Sequence, residues 1–148
     1  MVTVTYEEYC KKSQSPGWVF EVIVPERIRN IRYIHPLKQK EVVKIVNMVC
    51  QTGGIESIRV FGSSITDECY FNSDLDICID WSFDCYDSEG VIVPQAAVIL
   101  NRISSITKGN VDVVHYKYLK GTVVEQAAMN GVVIYEKGDN NVCGNKTK

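Results

Sequence analysis

Apolar residues along the chain follow the spacing of a helix in some stretches and of a strand in others. From Pro36 to Gln51 they recur on one helical face and Gly53 follows, which predicts a helix that begins at the proline. A second helix is predicted to begin at Pro94, with Gly109 capping its end. Four strands are predicted from β-branched or alternating residues, at Ile55–Phe61, Asp74–Trp81, Val111–Val114 and Val132–Tyr135.

Three further segments lie between or before these elements. Thr122 and Glu125 have capping-box spacing for a short helix that Gly131 would close. Residues 82–93 have the composition of an acidic loop. Residues 17–24 (GWVFEVIV) are rich in β-branched and aromatic side chains and predict another strand.

Length and composition limit how these elements can be arranged. With 148 residues, 45% of them hydrophobic, the chain can bury one core and has no room for two ordinary domains. We expect an α/β (α+β) domain over residues 36–137, in which a mixed sheet has helices packed against it. Residues 1–35 would form an N-terminal extension, and residues 138–148 a disordered tail.

The strand that begins at Asp74 carries the first candidate chemistry. It alternates between a polar face (Asp74, Asp76, Cys78, Asp80) and an apolar face (Leu75, Ile77, Ile79, Trp81). Asp74 and Asp76 therefore lie about 6.6 Å apart with both carboxylates on one face. Such ligands favour Mg²⁺, which takes one or two protein carboxylates and completes its shell with water and substrate phosphates. Asp80 is too far along the strand to join them, and Cys78 is interpreted as a small apolar filler.

A turn that could hold a phosphate lies just upstream of these acids. At the end of the first predicted strand, Gly62 has no Cβ and lets the chain turn sharply. The backbone amides and the hydroxyls of Ser63 and Ser64 are then free to bind an anion. Phosphate and Mg²⁺ together indicate a nucleoside triphosphate.

A third acid lies on a later predicted strand. Asp112 is on the opposite face from Val111 and Val113. If this strand pairs beside the strand of Asp74, Asp112 joins the first two acids, where it could bind a second metal or take a proton from an attacking hydroxyl. His115 could touch a substrate, although an ordinary surface histidine is the commoner interpretation.

Together these residues resemble the nucleotidyltransferase superfamily that includes DNA polymerase beta, and within it the minimal nucleotidyltransferases. The family pattern is Gly-Ser, ten residues, Asp-x-Asp and a later Asp on a neighbouring strand, which here are Gly62, Ser63, Asp74, Asp76 and Asp112. The run from Val111 to Glu136 also resembles the end of a minimal member. The resemblance covers about Leu37 to Lys137.

The resemblance implies an enzyme that moves a nucleoside monophosphate, in the first instance AMP from ATP, to a hydroxyl group. It implies that the triphosphate is held by Gly62, Ser63 and Ser64, and that two Mg²⁺ ions are held by Asp74, Asp76 and Asp112. Asp112 would also activate the acceptor. The implied acceptor is a protein, such as a HEPN-type toxin whose antitoxin this chain would be, or a small molecule as in the aminoglycoside nucleotidyltransferases.

One departure from the family pattern supports a second hypothesis. Many minimal members continue after Gly-Ser with Ala-Arg-Gly, whereas this chain has Ser64-Ile65-Thr66-Asp67. The alternative is a module that keeps the fold and binds nucleotide or a partner of a toxin–antitoxin type, with weak or no transfer.

Charge is distributed unevenly along the chain. Residues 51–100 hold nine acids and one Arg, a balance of −8, while residues 1–50 and 101–148 sum to +3 each. So acidic a segment would repel a nucleotide unless bound Mg²⁺ neutralised it. Six basic residues, Lys38 among them, lie between Arg27 and Lys44. This patch could meet phosphate, RNA or an acidic partner, but a solvated face is the commoner interpretation, so nucleic-acid binding stays open.

Cysteine spacing and hydropathy bear on localisation. The six cysteines form no CxxC pair and have no zinc spacing, so we expect reduced thiols in a cytoplasmic protein. The start of the chain has no apolar core of signal-peptide length, and no run approaches the ~18 apolar residues of a transmembrane helix. We therefore expect no membrane association.

Overall fold

The computed structural model describes residues 18–139 and contains every helix and strand predicted from Pro36 onward. The four strands and the helix that begins at Pro36 lie within one residue of their predicted bounds. In chain order these are α1 Pro36–Thr52, β1 Ile55–Phe61, β2 Leu75–Trp81, α2 Pro94–Thr107, β3 Val111–His115, α3 Glu125–Met129 and β4 Val132–Glu136. Short 3-10 turns lie at Ile31–Tyr33, Gly62–Ile65 and Tyr116–Tyr118. The predicted α/β (α+β) class is confirmed.

The four strands form one mixed sheet in the order β3-β2-β1-β4. β1 is antiparallel to both β2 and β4, whereas β2 and β3 are parallel. Parallel strands need a crossover connection, and α2 supplies it between β2 and β3. This connection brings the start of β3 beside the start of β2.

The main core lies between one face of this sheet and helices α1 and α2. Its members include Val42 and Ile45 of α1, Ile99 of α2, and Ile77 and Ile79 of β2, all buried. Among residues 18–139, the opposite face has a small apolar cluster, formed by Phe61, Cys78, Leu119 and Ala128. Because this second face is covered only in part, it can carry polar groups that must meet a ligand.

The described part of the predicted extension packs with the domain. Ile28, Ile31 and Ile34 belong to the main core. Arg29 Nε donates to Asp139 Oδ2 at 3.1 Å, which joins this segment to the chain beyond β4. The rest of the predicted extension and tail, residues 1–17 and 140–148, lies outside the described residues.

Residues 18–24 do not form the predicted strand. The amide of Ile23 donates to Gln39 Oε1 at 2.8 Å, so a side chain takes the place of a neighbouring strand. Gln39, which α1 buries fully, also donates from Nε2 to the carbonyl oxygens of Glu21 at 2.8 Å and Ile34 at 3.0 Å. These bonds hold the segment in an extended path over α1.

The predicted capping box before α3 is wrong. The helix begins at Glu125 with Val124 as its N-cap residue, and no side chain caps it. Thr122 Oγ1 instead donates to the carbonyl oxygen of Leu119 at 2.7 Å. The Glu125 carboxylate instead accepts from the amide of Gly121 at 3.0 Å. A local turn has therefore taken the hydroxyl that the spacing assigned to the helix.

The structure shows the oxidation state of the cysteines that it describes. Cys69, Cys78 and Cys85 are free and buried. Cys50 is disulfide-bonded, so the expectation of reduced thiols is wrong at this position. Pairing between cysteines far apart in the chain cannot be inferred from spacing.

Within residues 18–139, none of the helices combines the length and the apolar character that crossing a membrane would require.

Gln39→Leu should destabilise the protein, because it leaves the amide of Ile23 and two carbonyl oxygens without their partner. We expect a loss of about 2–4 kcal/mol in the free energy of unfolding measured in urea. Lys40→Leu, at an exposed position of the same helix, is the control and should change it by less than about 0.5 kcal/mol. Equal effects of the two changes would contradict the role given to Gln39.

Candidate active site

Asp76 and Asp112 lie side by side on the partly covered face of the sheet. β2 and β3 are parallel, and Asp76 is the register partner of Asp112. Side chains at paired positions project from the same face of a sheet, in strands about 4.8 Å apart. Asp74 precedes β2 directly. The expectation that the strand of Asp112 pairs beside that of the first two acids is therefore confirmed.

The carboxyl group of Asp76 has an unfavourable electrostatic setting. Burial, and then the negative charges of Asp112 and Asp74, raise the pKa of Asp76 to about 6. Within residues 18–139, no basic side chain forms a salt bridge with it. A carboxyl group whose pKa is raised by neighbouring carboxylates is typical of a functional site. The repulsion between these negative charges opposes folding unless a cation binds.

The chemistry of these donors fits Mg²⁺. In the part of the chain that the structure describes, no three His, Cys, Asp or Glu side chains are grouped closely enough to form a metal cage. Mg²⁺ does not need such a cage, because one or two carboxylates suffice when water and phosphate oxygens complete its shell. Asp74 and Asp76 would hold the ion, and Asp112 lies beside them on β3 as a further oxygen ligand.

The Gly62 turn touches the same carboxylate. Gly62 has φ of +76°, and a Cβ added there would stand 2.2 Å from Asp76 Oδ2. No side chain can therefore be placed at residue 62 without moving the Asp76 carboxylate. The glycine that the sequence predicts for a sharp turn is also required for this close approach.

Ser63 lines an open cavity beside the turn. The cavity has a volume of about 320 Å³ and is lined by Gly62, Ser63, Ile65, Thr66, Glu68 and Ala127. The carbonyl oxygen of Ser63 accepts from the amide of Thr66 at 3.0 Å and from its hydroxyl at 3.1 Å, which fixes the turn. Ser63 is thus placed where a phosphate could reach the turn, and its role stays a prediction.

Ser64, the third residue predicted to bind nucleotide, points elsewhere. It is fully buried, and its carbonyl oxygen accepts from the amide of His35 at 2.8 Å. Its hydroxyl has no hydrogen-bond partner by strict geometry but lies close enough to the Cys69 thiol to affect the pKa of that thiol. Ser64 and Cys69 are both buried, so the hydroxyl and the thiol face each other away from solvent. Ser64 supports the turn from inside and does not face the cavity.

The other polar residues of β2 stand apart from the three acids. Cys78 is 1% exposed and packs with Phe61, which confirms it as an apolar filler, and burial raises the pKa of its thiol to about 11. The pKa of Asp80 is raised by burial and by Glu56, and Arg59 opposes this rise. Neither residue contributes to the setting of Asp76.

His115 is a packed residue rather than the expected surface histidine. Its Nδ1 accepts from Trp81 Nε1 at 2.9 Å, and its ring meets the Tyr86 ring edge-on at 5.5 Å between centroids. Desolvation lowers its pKa, which favours the neutral imidazole that this hydrogen bond requires. It lies at the far end of β3 from Asp112, so we give it no part in the site.

Lys38 lies near the site and not on the solvent-exposed face that the sequence pattern predicts for it. Counted among the basic residues of a solvated face, it is 1% exposed and reaches the loop before Asp74. A usable signal exists in the sequence, because Lys38 repeats with Val42 and Ile45 on the apolar face of α1. The solvated-face interpretation is therefore wrong for this lysine.

The mixed sheet, with paired acids beside a glycine turn, defines an α+β domain of the nucleotidyltransferase type. A family model described as "Polymerase beta, Nucleotidyltransferase" matches residues 43–140, more than half of the chain. The chain therefore belongs to the polymerase beta nucleotidyltransferase family. The resemblance and the enzyme class predicted from the motif are confirmed. Among curated proteins, none matches the chain significantly.

Similar solved structures include toxin–antitoxin complexes. A toxin–antitoxin with AMP-PNP is 18% identical, with a TM-score of 0.46, over 73% of this chain and 82% of that chain. The toxin–antitoxin MntA-HepT is 19% identical, with a TM-score of 0.45, over 74% and 82%. Tri-AMPylated Shewanella oneidensis HEPN toxin in complex with MNT antitoxin is 19% identical, with a TM-score of 0.46, over 74% and 82%. At these values the likeness carries no conclusion about function.

Gly62→Ala should weaken Mg²⁺ binding, measured by isothermal titration calorimetry, because the new methyl group displaces the Asp76 carboxylate. We expect a loss of about tenfold or more. Gly90→Ala is the matched control: Gly90 has φ of +81° and nothing within 4 Å of an added Cβ, so it brings the same backbone strain without the clash. Wild-type affinity in both variants would contradict the contact between the turn and the carboxylate.

Asp76→Asn should stabilise the metal-free protein at neutral pH. The folded-state pKa of about 6 lies above the ordinary value of 3.8, so the folded state binds more protons and wild-type stability falls as pH rises between these values. The variant should melt at a higher temperature than wild type at pH 7 and lose this advantage at pH 4. Mg²⁺ should raise the melting temperature of the wild type only. A variant less stable than wild type at pH 7 would contradict the electrostatic conflict.

Proposed function

We propose that the chain is a metal-dependent nucleotidyltransferase that transfers a nucleoside monophosphate, AMP from ATP in the first instance, to a hydroxyl of a protein or small molecule. The observation that carries this proposal is the contact between the two halves of the motif. Gly62 approaches Asp76 so closely that no Cβ fits, and Asp76 pairs in register with Asp112. A triphosphate at the turn and a cation at the acids would thus meet in one place.

In the proposed reaction, the acceptor hydroxyl attacks the α-phosphorus and the bond to pyrophosphate breaks. Pyrophosphate leaves with the electron pair, and Asp112 takes the proton of the hydroxyl. Gly62 and Ser63 hold the triphosphate. Asp74 and Asp76, with Asp112, would hold two Mg²⁺ ions, whose positive charge would neutralise the negative charge of the phosphates. Positioning and charge neutralisation supply most of the rate.

The acceptor that we propose to test first is a protein, specifically a HEPN-type toxin. The resemblance of the Gly62 and Asp76 motif to minimal nucleotidyltransferases supports this choice. In such a pair the chain would be the antitoxin and would inactivate its partner by nucleotidyl transfer. A small-molecule hydroxyl is the alternative acceptor within the same chemistry.

A second candidate function is a module that binds nucleotide or a partner with little or no transfer. Two observations favour it. The loop after Gly62-Ser63 departs from the family pattern at Ile65, Thr66 and Asp67, and Ser64 is buried where the motif expects a nucleotide contact. Incubation with Mg²⁺ and labelled ATP, with and without the acceptor, decides between the two, since only the enzyme releases pyrophosphate.

Asp112→Asn should reduce the rate of transfer by about 100-fold or more, because the amide cannot take the proton. Binding of Mg²⁺ and ATP should weaken far less, since Asp74, Asp76 and Ser63 remain. The rate is followed by pyrophosphate release, and binding by titration with a non-hydrolysable ATP analogue. Asp67→Asn, at an exposed acid outside the group of three carboxylates, is the control for net charge and should keep the wild-type rate.

Transfer at the wild-type rate in Asp112→Asn would remove Asp112 from the chemistry. A wild type that binds ATP and Mg²⁺ but releases no pyrophosphate with any acceptor would favour the binding module instead. A wild type with no affinity for ATP at millimolar concentration would exclude the enzyme and leave only a module that binds a partner.

A further inference from the structure

Lys38 is a buried charge beneath the loop that leads to Asp74. It lies in α1 at 1% exposure, on the helix face that also carries Val42 and Ile45. Lysine is almost never fully buried unless its ammonium group is paired, because removing the charge from water is costly. An apolar side chain at this position would stabilise the core more than a buried ammonium group does. Core packing therefore does not explain why a lysine lies here.

The ammonium group binds the backbone of the loop between the Gly62 turn and β2. Lys38 Nζ donates to the carbonyl oxygen of Ser73 and, at 3.5 Å, to that of Phe71. Glu41 Oε1 lies 4.0 Å from Nζ and gives a counter-charge on the same helix. One side chain therefore joins the core helix to this loop.

These contacts lie directly before a proposed metal ligand. Ser73 is the residue before Asp74. On the other side, the amide of Leu75 donates to the carbonyl oxygen of Asn110 at 2.9 Å. The backbone around Asp74 is thus held from both sides, once by Lys38 and once by the segment that leads into β3. Since Asp74 itself is exposed, its place depends on these anchors rather than on packing of its side chain.

The contacts of Lys38 act on position rather than on the charge of the acids. The pKa of Asp76 responds to burial, Asp112 and Asp74. The charge of Lys38 acts instead on the pKa values of Glu41 and Cys69, which lie beside it, and favours a lower pKa at both. A methionine at residue 38 would keep the volume of the side chain while losing both hydrogen bonds to the loop.

We propose that Lys38 is a positioning residue that fixes the Ser73–Asp74 peptide and so keeps the Asp74 carboxylate beside Asp76. The inference rests on the proposed function, because it gives Asp74 a part in metal binding. Without the ammonium group, the loop loses its link to α1 and Asp74 leaves the metal position for part of the time.

The test compares Lys38→Met with Lys40→Met, the same change at an exposed lysine of the same helix. Hydrogen–deuterium exchange should become faster in residues 70–75 of Lys38→Met, and stay unchanged in Lys40→Met. Mg²⁺ affinity, measured by titration, should fall about tenfold in Lys38→Met only. Unchanged exchange in residues 70–75 would overturn the inference.

A double-mutant cycle separates positioning from general destabilisation. In an Asp74→Asn background, Lys38→Met should change Mg²⁺ affinity less than about twofold, because the ligand that Lys38 positions is gone. An equal loss in both backgrounds would overturn the inference. If the wild type binds no Mg²⁺, the proposed function fails, and exchange in residues 70–75 alone then decides whether Lys38 holds the loop.

The unmodified protein gives an independent test if Lys38→Met does not fold. Nitrogen NMR of the lysine side chains should show ammonium protons of Lys38 that exchange with water far more slowly than those of Lys40. Equal exchange rates would mean that the loop carbonyls do not hold the ammonium group, and would overturn the inference.

Discussion

The half-buried carboxylate of Asp76, with an acid on either side, is the constraint on which the rest of the site depends. Burial and the charges of Asp112 and Asp74 raise its pKa to about 6, so the metal-free fold carries an electrostatic conflict at neutral pH. The Gly62 turn meets the same carboxylate and fits only because residue 62 has no Cβ. Charge repulsion and a close backbone contact therefore fall on one group, and a bound cation would relieve the repulsion.

The two faces of the sheet divide stability from function. On one face, α1 and α2 cover a continuous core that supplies most of the burial. On the other, a small cluster around Cys78 leaves the ends of β2 and β3 open, where Asp76 and Asp112 lie. Stability gained on the first face permits unfavourable carboxylates on the second. Lys38 connects the core helix to the site, because its side chain starts in α1 and ends on the loop before Asp74.

Patterns that are local in sequence predict much of the fold and of the site. The alternation along β2 places Asp76 on the open face, and the β-branched residues around Asp112 predict its neighbouring strand. The features that depend on distant partners are missed. Spacing does not reveal that the turn buries Ser64, or that Lys38 finds carbonyl partners in a loop 35 residues away. Strand propensity in residues 18–24 likewise does not show that a glutamine side chain takes up the backbone hydrogen bonds.

The pKa of Asp76, measured by NMR at its carboxyl carbon with and without Mg²⁺, tests the central claim most directly. We predict a pKa of about 6 without metal and a value below the ordinary 3.8 when Mg²⁺ is saturating. Asp80, on the same strand face, serves as the internal reference, and Mg²⁺ should leave its pKa unchanged. An ordinary pKa for Asp76 in the metal-free protein, or a raised pKa that Mg²⁺ does not lower, would contradict a cation site at these carboxylates.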